Sequence, residues 1–220
     1  MKKNGFTLAE VLITLVIIGV IGALTVPALI QNTQKQEYVS ALKKTYSTLS
    51  QAVQIIIAEE GSPKGDAGWA SSAANISKLF KQHISSIKTC KENGKCFAPN
   101  TKYKTLNGSS AGDHFLTIDN IYAGNERFMT ADGTAVFVDP YWSKTACSGT
   151  WSGSAGLCSL IYVDINGHKA PNTAGRDLFF FALKEDGLYP IGCDDAGNHC
   201  ANTEGFGCAC NIITENAMNY

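Results

Sequence analysis

Residues 6–30 form a nearly uninterrupted apolar run, FTLAEVLITLVIIGVIGALTVPALI, in which Glu10 is the single charged side chain. At helical rise such a run is long enough to cross a hydrocarbon core of about 30 Å. Beyond Gln31 the pattern becomes amphipathic. Tyr38, Leu42, Tyr46, Leu49, Val53 and Ile56 recur at spacings of four and three, with Lys43, Lys44, Ser47, Gln51 and Gln54 on other faces. The spacing predicts one helix continuing through residues 31–60, which Gly61, Pro63 and Gly65 then stop. Residues 67–112 carry a weak pattern, with a short helix expected over 76–87. After that the period shifts to that of strands. These are expected at 115–118, at 127–130 and 134–138 flanking the Asp132-Gly133 turn, at 160–163, at 178–183, and at 188–191 after Asp186-Gly187. One long helix followed by several short strands predicts an α+β fold, with an antiparallel sheet laid across the amphipathic half of the helix.

The acid inside the apolar run needs an explanation. A secretory signal has an apolar core of about 7–15 residues and a small-residue cleavage site. The run at 6–30 is longer and lacks a clear site of that kind. A charged side chain in a membrane helix costs about 2.5–3.5 kcal/mol on insertion scales and therefore calls for a partner. The simplest alternative is a plain anchor in which Glu10 snorkels to the interface. That alternative gives no reason for Gly5-Phe6 followed by Glu10.

The basic leader and the motif KKNG-FTLAE, followed by the long apolar helix, resemble the class III leader of type IV pilins and type II secretion pseudopilins. The resemblance implies the pilin fold and a processing route. Residues 1–5 would be a leader peptide removed after Gly5 by a prepilin peptidase, and Phe6 would become the N-methylated amino terminus. Residues 6–30 would be both transmembrane anchor and polymerisation surface. In a filament of sibling subunits, Glu10 would neutralise the Phe6 amine of a neighbour. Pro27 lies where the family often has a helix-loosening proline, and its missing donor and ring clash would kink or stretch the helix. The further partners implied are an inner-membrane assembly platform and its cytoplasmic ATPase.

Charge and cysteine content refine this picture. The formal net charge is -1, and loss of Lys2 and Lys3 with the leader takes it to -3. There is no basic run of the kind that nucleic acid favours. Lys2 and Lys3 before the apolar run are balanced by Lys35, Lys43 and Lys44 after it, so charge alone does not orient the anchor. All 8 cysteines lie between Cys90 and Cys210, which places residues 61–220 as a disulfide-bearing globular domain in an oxidising, extracytoplasmic compartment. The expected localisation is the bacterial inner membrane, single-pass, with the C-terminal domain in the periplasm or on a surface filament. Short separations favour pairing Cys90 with Cys96 and Cys147 with Cys158. Cys208 and Cys210 would then each cross-link to the segment bearing Cys193 and Cys200, because a bond between them would strain a tight loop. A zinc site from those four cysteines with His199 is the alternative use.

The segment 164–177, DINGHKAPNTAGRD, gathers oxygen donors in a glycine-containing loop: Asp164, Asn166, Asn172 and Asp177. A hard cation such as calcium takes such ligands. Counted from Asp164 the loop is not an EF-hand, since Lys169 stands at the sixth position and Gly175 at the twelfth. Major pseudopilins are similar in placing calcium in the loops of their sheet. The other reading is a turn whose Asp and Asn side chains bond local backbone, with Arg176 and Asp177 as a surface pair.

No enzyme motif emerges. His83, His114, His168 and His199 fall in separate segments, and Ser152 does not complete a G-x-S-x-G elbow. Trp69, Trp142 and Trp151 are read as caps on a small core, or else as an exposed sticky surface. The function expected is a non-catalytic structural subunit of a type II secretion pseudopilus or type IV pilus. The alternatives are a membrane-tethered binding or adhesion module delivered by the same N-terminus, and a DNA-uptake pilin.

Overall fold

The computed structural model describes residue 5 and residues 7–65, 68–90, 96–99, 102–110, 126–139, 146–193, 200 and 204–220. The leader residues 1–4, Phe6, the strand expected at 115–118, His114, Trp142 and His199 lie outside the described residues. The chain divides into two compact units, Met1–Glu37 and Tyr38–Tyr220.

Helix α1 (Leu8–Glu60) is assigned without interruption through Pro27, and ends at the glycine-proline stretch that the sequence marks as its stop. In the first unit its large apolar side chains are exposed all round, from Val11 at 46% to Leu8 at 79%. Its most apolar window has a mean hydropathy of 2.6 and no buried residue. In the second unit Val39, Leu42, Leu49, Val53 and Ile56 form a buried stripe. Fully burying each of these side chains stabilises the fold by about 1.5–3 kcal/mol.

That stripe packs on a six-stranded antiparallel sheet with strand order β1-β2-β3-β6-β7-β8. The strands are β1 (Ser86–Thr89), β2 (Glu126–Thr130), β3 (Ala135–Asp139), β6 (Ser159–Asp164), β7 (Leu178–Lys184) and β8 (Gly187–Pro190). Between β3 and β6 a separate hairpin is formed by β4 (Gly149–Trp151) and β5 (Ser154–Leu157). Alternation along the central strands sorts two cores. Val136, Val138, Ile161, Val163, Phe179 and Phe181 face α1, and Phe137, Leu160, Tyr162, Leu178 and Phe180 face the other way. Register aligns Phe137 with Tyr162 and Tyr162 with Phe180, and each ring pair meets at 5.1 Å. Phe97, Tyr103, Leu157 and Phe206 complete this second core. A sheet buried on both faces explains why β6 and β7 read as continuous apolar runs rather than as alternating ones.

Two differences from the sequence reading have physical causes. The helix expected over 76–87 is α2 (Ala73–His83), capped by the Ser72 hydroxyl, which accepts from Asn75 N at 3.2 Å. It stops because Ile84 is extended, and the chain enters β1 to pair with β2. The ladder gained there outweighs the helical spacing, and β-branched residues suit it. A third helix, α3 (Cys208–Glu215), was not legible beneath the cysteines. It ends on Asn216 in the left-handed region at φ 57°.

Candidate functional site

The amino-terminal motif is built at the start of α1. Glu10 Oε2 accepts from Thr7 N and from Thr7 Oγ1, both at 2.8 Å, and Thr7 Oγ1 accepts from Glu10 N at 3.2 Å. This reciprocal pair is a capping box, with Thr7 as the N-cap and Glu10 at the third helical position. The carboxylate is thereby turned back toward residue 7, the end of the helix nearest the cleavage position. Sequence reasoning treated Glu10 only as an acid in search of a cation. The Thr-x-x-Glu spacing was the signal for its second role. Gly5 is exposed, and an added Cβ there would meet nothing within 4 Å. Further along, the Thr14 and Thr25 hydroxyls donate to the Val11 and Ile21 carbonyls, each at 2.9 Å, so these polar groups in the apolar run carry their own partners.

The cysteines form four disulfides: Cys90–Cys96, Cys147–Cys158, Cys193–Cys210 and Cys200–Cys208. The last two tie the chain after β8 to α3. The Cys200–Cys208 bond sits against the loop that joins β6 to β7, residues 165–177. A Cβ on Gly175 would lie 2.8 Å from Cys208 Sγ, and one on Gly205 would lie 2.3 Å from the Ala174 oxygen. Both positions have positive φ, so glycine is required there for conformation and for space.

That loop holds the four oxygen-donor residues. Asp164 ends β6 fully buried. Its Oδ2 accepts from the Tyr103 hydroxyl at 2.5 Å and its Oδ1 from Asn166 N at 3.2 Å. Asp177 is also fully buried, and accepts from Asn172 N at 2.7 Å and Thr173 N at 2.6 Å. The expected surface pair of Arg176 with Asp177 is therefore corrected, because Asp177 points inward to cap the loop's own backbone. The local-turn reading accounts for these hydrogen bonds. It does not account for the side-chain oxygens of Asn166 and Asn172, which are buried without a partner. Nor does it relieve the carboxylates. Burial, and then the charge of Asp177, push Asp164 well above the usual carboxylate range, and burial pushes Asp177 up to about 6 against the backbone donors of Thr173 and Asn172.

The loop thus holds two buried carboxylates and two side-chain amide oxygens without partners, donors of the kind a hard cation takes six to eight of. Among the described residues no three His, Cys, Asp or Glu side chains cluster as metal ligands, so a cation here depends on the asparagines. The pair also fixes a pH dependence. With divalent cations chelated, the unfolding midpoint is expected to fall as pH rises from about 4 to about 7. Asp177 binds its proton more tightly folded, at about 6, than at its ordinary 3.8, and that advantage disappears as the carboxyl ionises. Thermal melts across this range in EDTA measure it; a midpoint that is flat or rises with pH contradicts the strained pair.

Among the described residues the remaining sequence candidates do not converge. His83 Nε2 lies 3.2 Å from Glu59 Oε2 beside a cleft of about 490 Å³, across which Lys44 and Asp132 pair at 2.9 Å. His168 is exposed. Trp69 is buried, its indole donating to the Gly61 oxygen at 3.1 Å, and Trp151 lies against Phe180 and Phe206. Both described tryptophans thus serve the cores.

An apolar helix exposed at its amino-terminal half, packed by its second half on an antiparallel sheet, and a disulfide-tied carboxy-terminal region define a pilin-like α+β protein. Residues 1–26 match the family model described as the prokaryotic N-terminal methylation motif, so the chain carries a class III prepilin leader. The motif implies processing by a prepilin peptidase. By length and composition this helix is apolar enough to cross a membrane. No curated protein and no solved structure matches the chain.

Proposed function

We propose that this chain is a structural subunit of a type II secretion pseudopilus or a type IV pilus, with the pseudopilus favoured. The observation that carries the reading is the exposed apolar half of α1 with Glu10 fixed at its start, within the residues that match the methylation motif. After cleavage at Gly5 and methylation of Phe6, this helix would sit in the inner membrane with residues 61–220 outside the cytoplasm. It would then exchange lipid for sibling helices as an assembly platform and its ATPase extend the filament. Pairing of Glu10 with a neighbour's Phe6 amine would set the axial register. Mass spectrometry of the protein from a membrane fraction is expected to find methylated Phe6 as the first residue. An intact Met1, or cleavage within residues 20–35, would refute the assignment.

A second reading concerns the β6–β7 loop. Asp164, Asn166, Asn172 and Asp177 would hold calcium as a structural ion, and the observation favouring this is the pair of buried amide oxygens left without partners. The ion would cancel the repulsion between the two carboxylates. Calcium is therefore expected to raise the unfolding midpoint at neutral pH and to reverse the decline seen in EDTA.

A further inference from the structure

We propose that Asn107 is a glycosylation site, its side-chain amide taking a sugar from an activated sugar phosphate carried on a lipid, the form of donor open to a domain outside the cytoplasm. The proposal rests on the extracytoplasmic placing of residues 61–220. The sequence has two tripeptides of the kind that accept such a sugar, Asn75-Ile76-Ser77 and Asn107-Gly108-Ser109. The fold treats them differently. Asn75 lies in the first turn of α2, where its Nδ2 donates to the Trp69 oxygen at 3.0 Å, and Ile76 and Ser77 are fully buried. Neither the nitrogen to be modified nor the hydroxyl that marks the site is reached there without unwinding the helix.

The second tripeptide lies at the tip of a turn. Thr105 N donates to the Ser109 oxygen at 3.0 Å, Gly108 N donates to the Thr105 oxygen at 2.9 Å, and Lys104 pairs with Ser110 across the turn. Gly108 has φ 86°, a conformation natural to glycine, and a Cβ placed on it would meet nothing within 4 Å. Asn107, Gly108, Ser109 and Ser110 are all exposed. The Asn107 Oδ1 accepts from Thr105 Oγ1 at 2.6 Å and from Ser109 N at 3.0 Å, whereas its Nδ2 makes no hydrogen bond, and neither does the Ser109 hydroxyl. The acceptor nitrogen and the hydroxyl two residues on are thus both free. The base of the turn is fastened to the β6–β7 loop, because Lys104 N donates to the Asn172 oxygen and Ala174 N to the Lys104 oxygen, each at 2.9 Å. Only the tip has to enter an enzyme, and water replaces the bonds to Oδ1 as the amide turns. In the transfer a bond forms between Asn107 Nδ2 and the anomeric carbon of the sugar. The bond from that carbon to the phosphate oxygen breaks, its electron pair leaves with the phosphate, and Nδ2 gives one proton to a base of the transferase. Nothing is oxidised or reduced.

The test is mass spectrometry of tryptic peptides from the full chain, purified from membranes of the cell in which it naturally occurs. Cleavage after Lys64, Lys78, Lys104 and Arg127 puts Asn75 in a peptide 65–78 and Asn107 in a peptide 105–127, one site in each. The 105–127 peptide is expected to carry an added mass that fragments as sugar and maps to Asn107, and the 65–78 peptide to be bare. Asn107→Gln should lose the addition. Ser109→Ala should lose it too, although the hydroxyl it removes bonds nothing in the turn, and Ser109→Thr should keep it. A 105–127 peptide found only at its unmodified mass would overturn the proposal. So would an addition that survives in Asn107→Gln or in Ser109→Ala, because it would then not be the amide-linked sugar of this tripeptide. Sugar on 65–78 would overturn the selection of sites by burial. The same digest reports the amino terminus, so a methylated Phe6 together with a bare 105–127 peptide would refute the glycosylation alone and leave the filament reading standing.

Discussion

Replacing Glu10 by glutamine is expected to abolish incorporation of this chain into filaments while leaving its membrane insertion unchanged. The prediction separates the capping role that the structure shows from the charge pairing proposed for the side chain. Glutamine has the carbonyl oxygen needed to accept from Thr7 N, so the capping box at the start of α1 can persist. What it lacks is the charge that would meet the amine of a neighbouring Phe6. Alanine removes both, and loss of such a cap costs about 0.5–2 kcal/mol of helix stability. If capping were the whole function of Glu10, the glutamine variant would assemble normally and the alanine variant would not. If the charge sets register, both fail, and glutamine fails with an intact helix start. Shearing or pull-down of assembled filaments, with membrane fractionation as the control, distinguishes these outcomes.

The second large effect is expected from removing the Cys200–Cys208 bond by replacing both residues with serine. Closing a loop of this size stabilises by about 2–4 kcal/mol in the chain-entropy account. Both cysteines are fully buried, so two serine hydroxyls would also need partners in an apolar setting. The bond holds the chain where the Gly205 backbone approaches Ala174 and where the Glu204 oxygen accepts from Leu106 N. Its loss therefore loosens the β6–β7 loop together with residues 102–110, which hydrogen-bond to it. The unfolding midpoint should drop by about 5–15 °C. A midpoint unchanged within error would mean that packing alone keeps this region in place.

The parts of the molecule that were legible in advance depend on neighbours in sequence. The run at 6–30, the buried stripe from Val39 to Ile56, and the turns at Asp132-Gly133 and Asp186-Gly187 are local patterns, and α1, β2, β3, β7 and β8 follow from them. The capping box was equally local. It was missed because the charge of Glu10 drew attention away from its spacing to Thr7. The preferred cysteine partners also follow from separation along the chain.

What the sequence by itself determined is the amino-terminal part of this protein: a leader motif, a glycine before a phenylalanine, and a helix whose apolar side chains are exposed among the described residues. What only the tertiary structure decided is the chemistry of the β6–β7 loop. Its four oxygen donors were visible, but whether they face water or are sealed in was not. Burial comes from the second core on the far face of the sheet, from Tyr103 approaching over a long sequence distance, and from the Cys200–Cys208 bond lying against Gly175. A carboxylate in water and one enclosed beside another differ by the solvation that surrounding chain takes away, and that quantity belongs to no single residue.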